Sequence, residues 1–354
     1  MEASLIKIFI PTIIAFITGI LITPVVTHYL YKHKVWKKVG GKTALDGSEA
    51  SEFGKLRPED LETKTPRMGG IVIVGSVGIT LCVLFALQFI FPNSIFTELD
   101  FFSRSQTWIP LSTFLIGAVL GFLNDLYDIT KHGEKGIALR TRIIFISILS
   151  ALIGWWFYDK LDVVSVSVPF DGTLYLGVFI IPFFILMTNA LYASGVIDGI
   201  DGLSGGVFVS IFSAYAGVAF LQEQFDLAAL SATLAGATLA FLWFNIPPAR
   251  FWMTEVGTMA LTLTLSVIVF MTDTLGGGNG ISLLFIIGLP LVVTVLSNVL
   301  QILSKHIRGE KLFRIAPLHH HFEAIGWPSY KVTMRYWVIS VMCAILGLMI
   351  AAVA

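Results

Sequence analysis

Charge and cysteine are both scarce in this sequence. Only 13% of its 354 residues are Asp, Glu, Lys or Arg, about half the share a soluble domain carries. The two cysteines, Cys82 and Cys343, each sit inside an apolar run. A small hydrophobe is the simple reading there, and neither a disulfide framework nor a cysteine-based metal site is indicated. The formal net charge is zero, and no nucleic-acid partner is expected. Low-complexity segments, a separate soluble domain and a convincing internal repeat are all lacking. The first apolar run, Ile8 to Leu30, is too long for a signal-peptide core and lacks a small-x-small cleavage pattern. It reads as a first membrane span.

What the sequence has in abundance is apolar surface, with 56% hydrophobic residues and a mean hydropathy of +0.84. One soluble core cannot hide that much, so the bilayer is its natural solvent. A helical span needs about 20 mostly apolar residues, because every backbone polar group must be paired internally. Such runs occur near residues 5–30, 68–92, 108–126, 139–158, 174–193, 203–221, 227–245, 254–272, 281–304 and 332–353. The expected fold is all-α: one polytopic domain over 1–354 with about ten transmembrane helices. Gly, Ala and Ser in spans six to eight would let those helices approach closely.

Lys and Arg orient the spans. The loop after span one carries Lys32, Lys34, Lys37, Lys38, Lys42, Lys55, Arg57, Lys64 and Arg67. The loop after span three has Lys131, Lys135, Arg140 and Arg142, and that after span nine has Lys305, Arg308, Lys311, Arg314 and Lys331. Loops of opposite parity hold little beyond Arg104 and Lys160. Odd-numbered loops are therefore expected in the cytoplasm and both termini outside. Two of them are long, a mobile one over 31–67 and a histidine-bearing one over 305–331; the basic residues of the first also suit anionic lipid headgroups.

The unusual polar residues cluster at span ends on that cytoplasmic side. A channel or transporter more often places ionisable groups near mid-membrane; an enzyme acting on a lipid headgroup needs them at the surface. Lys64-Thr-Pro-Arg-Met-Gly-Gly70 leads into span two, with a Lys and an Arg beside free helix N–H groups suited to phosphate. The same residues also read as a positive-inside anchor with a proline helix start. At the end of span three, Gly121-Phe-Leu-Asn-Asp-Leu-Tyr-Asp128 sets Asp125 and Asp128 on one helix face, and Asn124 with Asp128. Their oxygens suit Mg²⁺, whereas solvated caps at a helix C-terminus would oppose the dipole.

Three further segments follow. Asp198-Gly-Ile-Asp-Gly-Leu203 forms a tight turn that could present oxygens to a metal or a ribose, or simply join two helices. In the segment from Phe241 to Thr258, Asn245 ends span seven, Pro247 and Pro248 break it, and Glu255 enters span eight. An acid in a first turn is also ordinary dipole compensation. Ala316-Pro-Leu-His-His-His-Phe-Glu323 carries three consecutive histidines, which suit an irregular loop facing a polyanion or a base. A zinc site is possible there too, although no His or Cys partner at suitable spacing occurs elsewhere in the sequence.

Taken in order, these segments resemble the bacterial phospho-N-acetylmuramoyl-pentapeptide transferases, a branch of the polyprenyl-phosphate N-acetylhexosamine-1-phosphate transferases. The most specific part is Gly309 to Trp327 with Lys331-Val and Arg335-Tyr-Trp337; Lys64 to Gly70 and Phe241 to Leu261 match as well. The resemblance implies transfer of phospho-MurNAc-pentapeptide from UDP-MurNAc-pentapeptide to undecaprenyl phosphate, with Mg²⁺, in a homodimer within the lipid of the bacterial plasma membrane. It implies catalytic roles for Asp125 with Asn124, Lys64 and Asp198, and metal ligation by Glu255 and Asp125. Substrate contacts would come from His319, His320, His321, Asp201, Asn189, Asn245, Thr65 and Asp128.

The chain departs from that pattern in four places. Asn124-Asp125 stands where the family has paired aspartates. Met-Thr-Glu-Val-Gly-Thr258 replaces Met-Gly-Asp-x-Gly-Ser, so the metal-binding aspartate is Glu255. Tyr192-Ala-Ser-Gly-Val-Ile-Asp198 replaces Asn-Ala-x-Asn-Leu-Thr-Asp, unless Asn189-Ala190 is that Asn-Ala with three residues inserted. Thr294 replaces an acid in span nine. Two other readings stay open: a relative loading another UDP-N-acetylhexosamine, and a silent homologue that binds lipid phosphate.

Overall fold

The computed structural model describes residues 2–37, 63–92, 94–99, 101, 106–130, 136–168 and 172–353. Most of the expected mobile loop, including Lys38, Lys42, Lys55 and Arg57, lies outside the described residues, as do Arg104, Lys131 and Lys135. Among the described residues, ten helices are long and apolar enough to cross a membrane. We label them α1 Glu2–Lys32, α2 Ile71–Ile90, α3 Trp108–Thr130, α4 Leu139–Lys160, α5 Ile180–Ser194, α6 Leu203–Leu221, α7 Phe225–Asn245, α8 Thr254–Met271, α9 Leu289–Arg308 and α10 Ser329–Val353. An even number of crossings among the described residues leaves Glu2 and Val353 on one side.

The helices are layered by side-chain size. Every residue of α8 from Val256 to Met271 is buried, and α3, α5 and α2 pack along it. Small residues set the neighbouring contacts. A Cβ on Gly236 of α7 would overlap the Thr12 carbonyl of α1, and one on Gly121 of α3 would overlap the Glu255 carbonyl. In lipid, where apolar burial gives little drive, such close van der Waals approach holds helices together. The outer surfaces of α1, α9 and α10 carry exposed Phe9, Leu21, Leu300, Ile307, Val338 and Met349, as lipid-facing helices should.

The ninth apolar run is not one helix. It divides at Gly288 into a short helix, Gly280–Ile287, and α9; Pro290 at the start of α9 has no N–H to continue the ladder. The histidine segment is not irregular either. It forms a short helix, Leu318–Ala324, with His319 and His320 buried, between the end of α9 and the start of α10.

At the end of the bundle away from these histidines, a hairpin of Ser165–Val168 and Gly172–Tyr175 is antiparallel, pairing Ser165 with Tyr175. Asp273, just past α8, ties it down: its carboxylate accepts from the Ser167 N–H at 2.8 Å and the Ile281 N–H at 2.9 Å. Burial pushes this carboxyl above its ordinary value, and the backbone donors oppose that shift.

Candidate active site

One end of the bundle gathers the C-terminal ends of α3, α5 and α7 and the N-terminal ends of α2, α4, α6, α8 and α10. Asp125 is its centre and is fully buried. Its Oδ2 accepts from the Thr254 hydroxyl at 2.6 Å and the Val256 N–H at 3.0 Å, while Oδ1 accepts from the Glu255 N–H at 3.3 Å. The acidic end of α3 thus meets the positive end of the α8 dipole, which offsets its unfavourable position at its own helix C-terminus. Arg67 adds a cation, 4.0 Å from Asp125 and 3.1 Å from Asp128. Lys37 stands 3.8 Å from Asp128.

The segment before α2 is fastened to the entrance of α8. The N–H of Trp252 donates to the Pro66 carbonyl at 2.9 Å, and those of Gly69 and Gly70 donate to the carbonyls of Trp252 and Met253 at 2.7 and 3.1 Å. This contact needs glycine, since a Cβ on Gly70 would overlap the backbone of Gly257. Lys64 is exposed and Thr65 half-buried on the same segment.

Glu255, in the first turn of α8, reaches the rim, its side chain 28% exposed. Arg142, in the first turn of α4, donates to it at 2.5 Å and also lies over the Tyr192 ring, 5.9 Å from the centroid. In the sequence Arg142 stands out only as an orienting charge; nothing local in Arg140-Thr-Arg142 signals a partner more than a hundred residues away.

Asp198 and Asp201 anchor the turn between α5 and α6. Asp198 accepts from the Ser204 hydroxyl at 2.7 Å and the Thr254 N–H at 2.9 Å. Asp201 accepts from the Ala249 N–H at 3.1 Å and the Trp252 indole N–H at 3.0 Å. Asn245 accepts from the Gly202 N–H and donates to the Phe251 carbonyl, so it braces the same turn. Gly202 has φ +75°, a conformation that suits glycine.

His319 and His320 pack onto this turn. A Cβ on Gly199 would overlap Nε2 of both rings, so the imidazoles lie against the backbone between the two aspartates. His320 is oriented by Glu323, whose Oε2 is 2.7 Å from Nδ1, and Ser329 donates to the other oxygen of Glu323 at 2.6 Å. His321 points elsewhere; its Nδ1 accepts from the Arg314 N–H at 3.2 Å. Asn124 is also turned away from Asp125, accepting from the Ile137 N–H at 2.9 Å. Asn189 stands apart from the group, inside α5, donating to Ser147 and to the Ile185 carbonyl.

The donor set favours a hard cation. Among the described residues no group of three or more His, Cys, Asp or Glu could hold a metal ion. Magnesium in phosphate-transfer sites uses one or two carboxylates and takes its remaining ligands from substrate phosphate and water. Asp125, held rigidly by three donors, and Glu255, at the rim, fit that arrangement.

Residues 107–273 match the profile of Glycosyl transferase family 4. Along nearly its whole length the chain is similar to proteins named phospho-N-acetylmuramoyl-pentapeptide-transferase. That of Anoxybacillus flavithermus is 30% identical over 340 residues, 95% of each chain. Those of Bacillus pumilus and Bacillus velezensis are 30% and 29% identical over 343 residues, 96% of each chain.

Proposed function

The chain belongs to the phospho-N-acetylmuramoyl-pentapeptide-transferase family within glycosyl transferase family 4, as a multi-pass membrane phosphoglycosyl transferase, and from that premise we propose that it transfers phospho-MurNAc-pentapeptide from its UDP carrier to undecaprenyl phosphate. The products are UMP and the polyprenyl-diphosphate-linked sugar of peptidoglycan synthesis. The observation that carries this reading is the convergence of Asp125, Asp198, Asp201, Glu255, Arg67, Arg142 and the buried histidines at one end of the bundle.

An oxygen of the polyprenyl phosphate attacks the sugar-bearing phosphorus of the UDP-sugar. The bond from that phosphorus to the bridging oxygen breaks, and the bridging oxygen leaves with UMP. Such a reaction asks the protein for alignment and charge neutralisation more than for covalent help. Arg67, Arg142 and Lys64 supply positive charge to the phosphates. Asp198, Asp201, Thr65 and Asn245 shape the nucleotide side of the site, and His319 and His320 offer N–H donors to diphosphate oxygens, while His321 faces Arg314. Enzymes of this family typically use Mg²⁺; Asp125 and Glu255 would hold it here, and when bound it draws charge off the phosphate oxygens. Burial of Asp125 away from bulk water strengthens these electrostatic contacts.

The site faces the cytoplasm of the bacterial plasma membrane in this reading, where the nucleotide substrate is soluble and the basic loops lie. A homodimer within the bilayer is part of the same proposal. The test is UMP release by purified protein given UDP-MurNAc-pentapeptide and undecaprenyl phosphate. Release that follows UDP-GlcNAc instead would move the assignment to a relative with another hexosamine. No release with either donor, from folded protein, would favour a silent lipid-phosphate binder.

A further inference from the structure

The structure assigns Thr254 a positioning role: its hydroxyl fixes the carboxylate of Asp125, and its backbone ties that carboxylate to the turn carrying Asp198. This inference rests on the transferase reading above.

Thr254 has φ +55°. A β-branched residue in the left-handed region is a genuine outlier, because its branched side chain crowds the backbone. Glycine occupies such a conformation without that cost. The structure therefore keeps a strained threonine at a point where a glycine would be at ease, and the side chain must supply something in return.

What it supplies is a pair of hydrogen bonds with a fixed sense. The Thr254 Oγ1 accepts from the Met68 N–H at 3.0 Å and donates to Asp125 Oδ2 at 2.6 Å. A backbone N–H can only donate, so the single hydroxyl proton is committed to the carboxylate. Met68 itself has φ +65°, so two left-handed residues from distant segments face each other through this one oxygen. The Thr254 N–H meanwhile donates to Asp198 Oδ2 at 2.9 Å. One residue thus joins the segment before α2, the end of α3, the turn before α6 and the entrance of α8. With 8% of its surface exposed and its hydroxyl engaged on both sides, Thr254 acts through Asp125 and does not touch substrate.

Three substitutions separate this role from simple packing, and all three keep the backbone bond to Asp198. Thr254→Ser retains the hydroxyl, Thr254→Val retains the shape without it, and Thr254→Gly relieves the strain without it. Initial rates of UMP release are expected to leave the Ser variant within about threefold of wild type. The Val and Gly variants should lose about 10- to 100-fold in kcat, the scale of a hydrogen bond to a charged group, with KM for the nucleotide donor within about twofold. Folded Val or Gly variants with wild-type kcat, or a Ser variant as impaired as Val, would overturn the assignment.

A second readout needs no turnover. Thermal unfolding of Thr254→Val, Asp125→Ala and the double variant should be non-additive, because each single change removes the same bond. Additive shifts in Tm would overturn the clasp. If the wild type releases no UMP, the transferase reading falls, while this cycle still decides the role of Thr254.

Discussion

The backbone N–H of Val256 donates to Oδ2 of Asp125 at 3.0 Å, joining the first turn of α8 to the last turns of α3. Gly121 and Gly117 allow it. A Cβ at Gly121 would overlap the Glu255 carbonyl, and one at Gly117 would sit 2.8 Å from that of Met259. The two helices therefore approach until an acidic helix end and an amide-bearing helix start share one small volume. Each end is electrostatically unfavourable alone, and together they compensate.

Asp125→Asn keeps the shape of this contact and removes its charge. The rate of UMP release is expected to fall by about 10²-fold or more, the scale of losing a preorganised charge in a water-poor site. Size-exclusion behaviour in detergent should stay that of the wild type. An Asn variant with full activity would remove Asp125 from the chemistry.

The pair of Glu255 and Arg142 separates metal binding from charge balance. Glu255→Gln should raise the Mg²⁺ concentration for half-maximal rate by roughly tenfold, as expected when a ligand loses its charge. Arg142→Ala should lower kcat/KM by about tenfold through loss of a cation beside the phosphates, without raising the Mg²⁺ requirement. Titration of Mg²⁺ in initial-rate assays checks both.

Gly199→Ala tests the packing of the histidines on the aspartate turn. The added methyl would overlap His319 and His320, so KM for the UDP-sugar is expected to rise about fivefold or more, the consequence of misplacing positioned groups by a fraction of an ångström. Gly78→Ala is the control, because a Cβ there has nothing within 4 Å; its kinetics should match wild type.

Asp273 is predicted to matter for stability and not for turnover. Removing it as Asp273→Ala leaves the Ser167 and Ile281 N–H groups without their acceptor and should cost about 2–3 kcal/mol, read as a lower Tm with kcat unchanged. Burial raises its carboxyl in the folded state. Its contribution is thus fully present below the unfolded value near 4 and declines as pH rises through the higher folded value. The difference in Tm between wild type and Ala variant should shrink with rising pH across that interval.

Much of this was legible in the sequence, for identifiable reasons. Runs of about 20 apolar residues are sufficient to mark a span in a bilayer, and all ten appear as helices. The one divided run, at Gly288, carries a Gly-Leu-Pro sequence whose break a hydropathy average hides. Polar residues at span ends, such as Asp125, Asp198 and Glu255, stand out because water-facing helix ends are the only cheap place for them in an apolar chain. What the sequence conceals is pairing across distance. Arg142 meets Glu255, Thr254 meets both Asp125 and Met68, and Gly199 meets two histidines, each through tertiary packing with no local signature. The three adjacent histidines illustrate the difference: their helix turns two of them onto Gly199 and the third toward Arg314.

The most direct measurement is release of UMP by the purified protein from UDP-MurNAc-pentapeptide, with and without undecaprenyl phosphate and with and without Mg²⁺. Release that requires both the lipid and the metal, and that Asp125→Ala abolishes, is the expected result. Folded protein that releases no UMP under any of these conditions would contradict the transferase assignment.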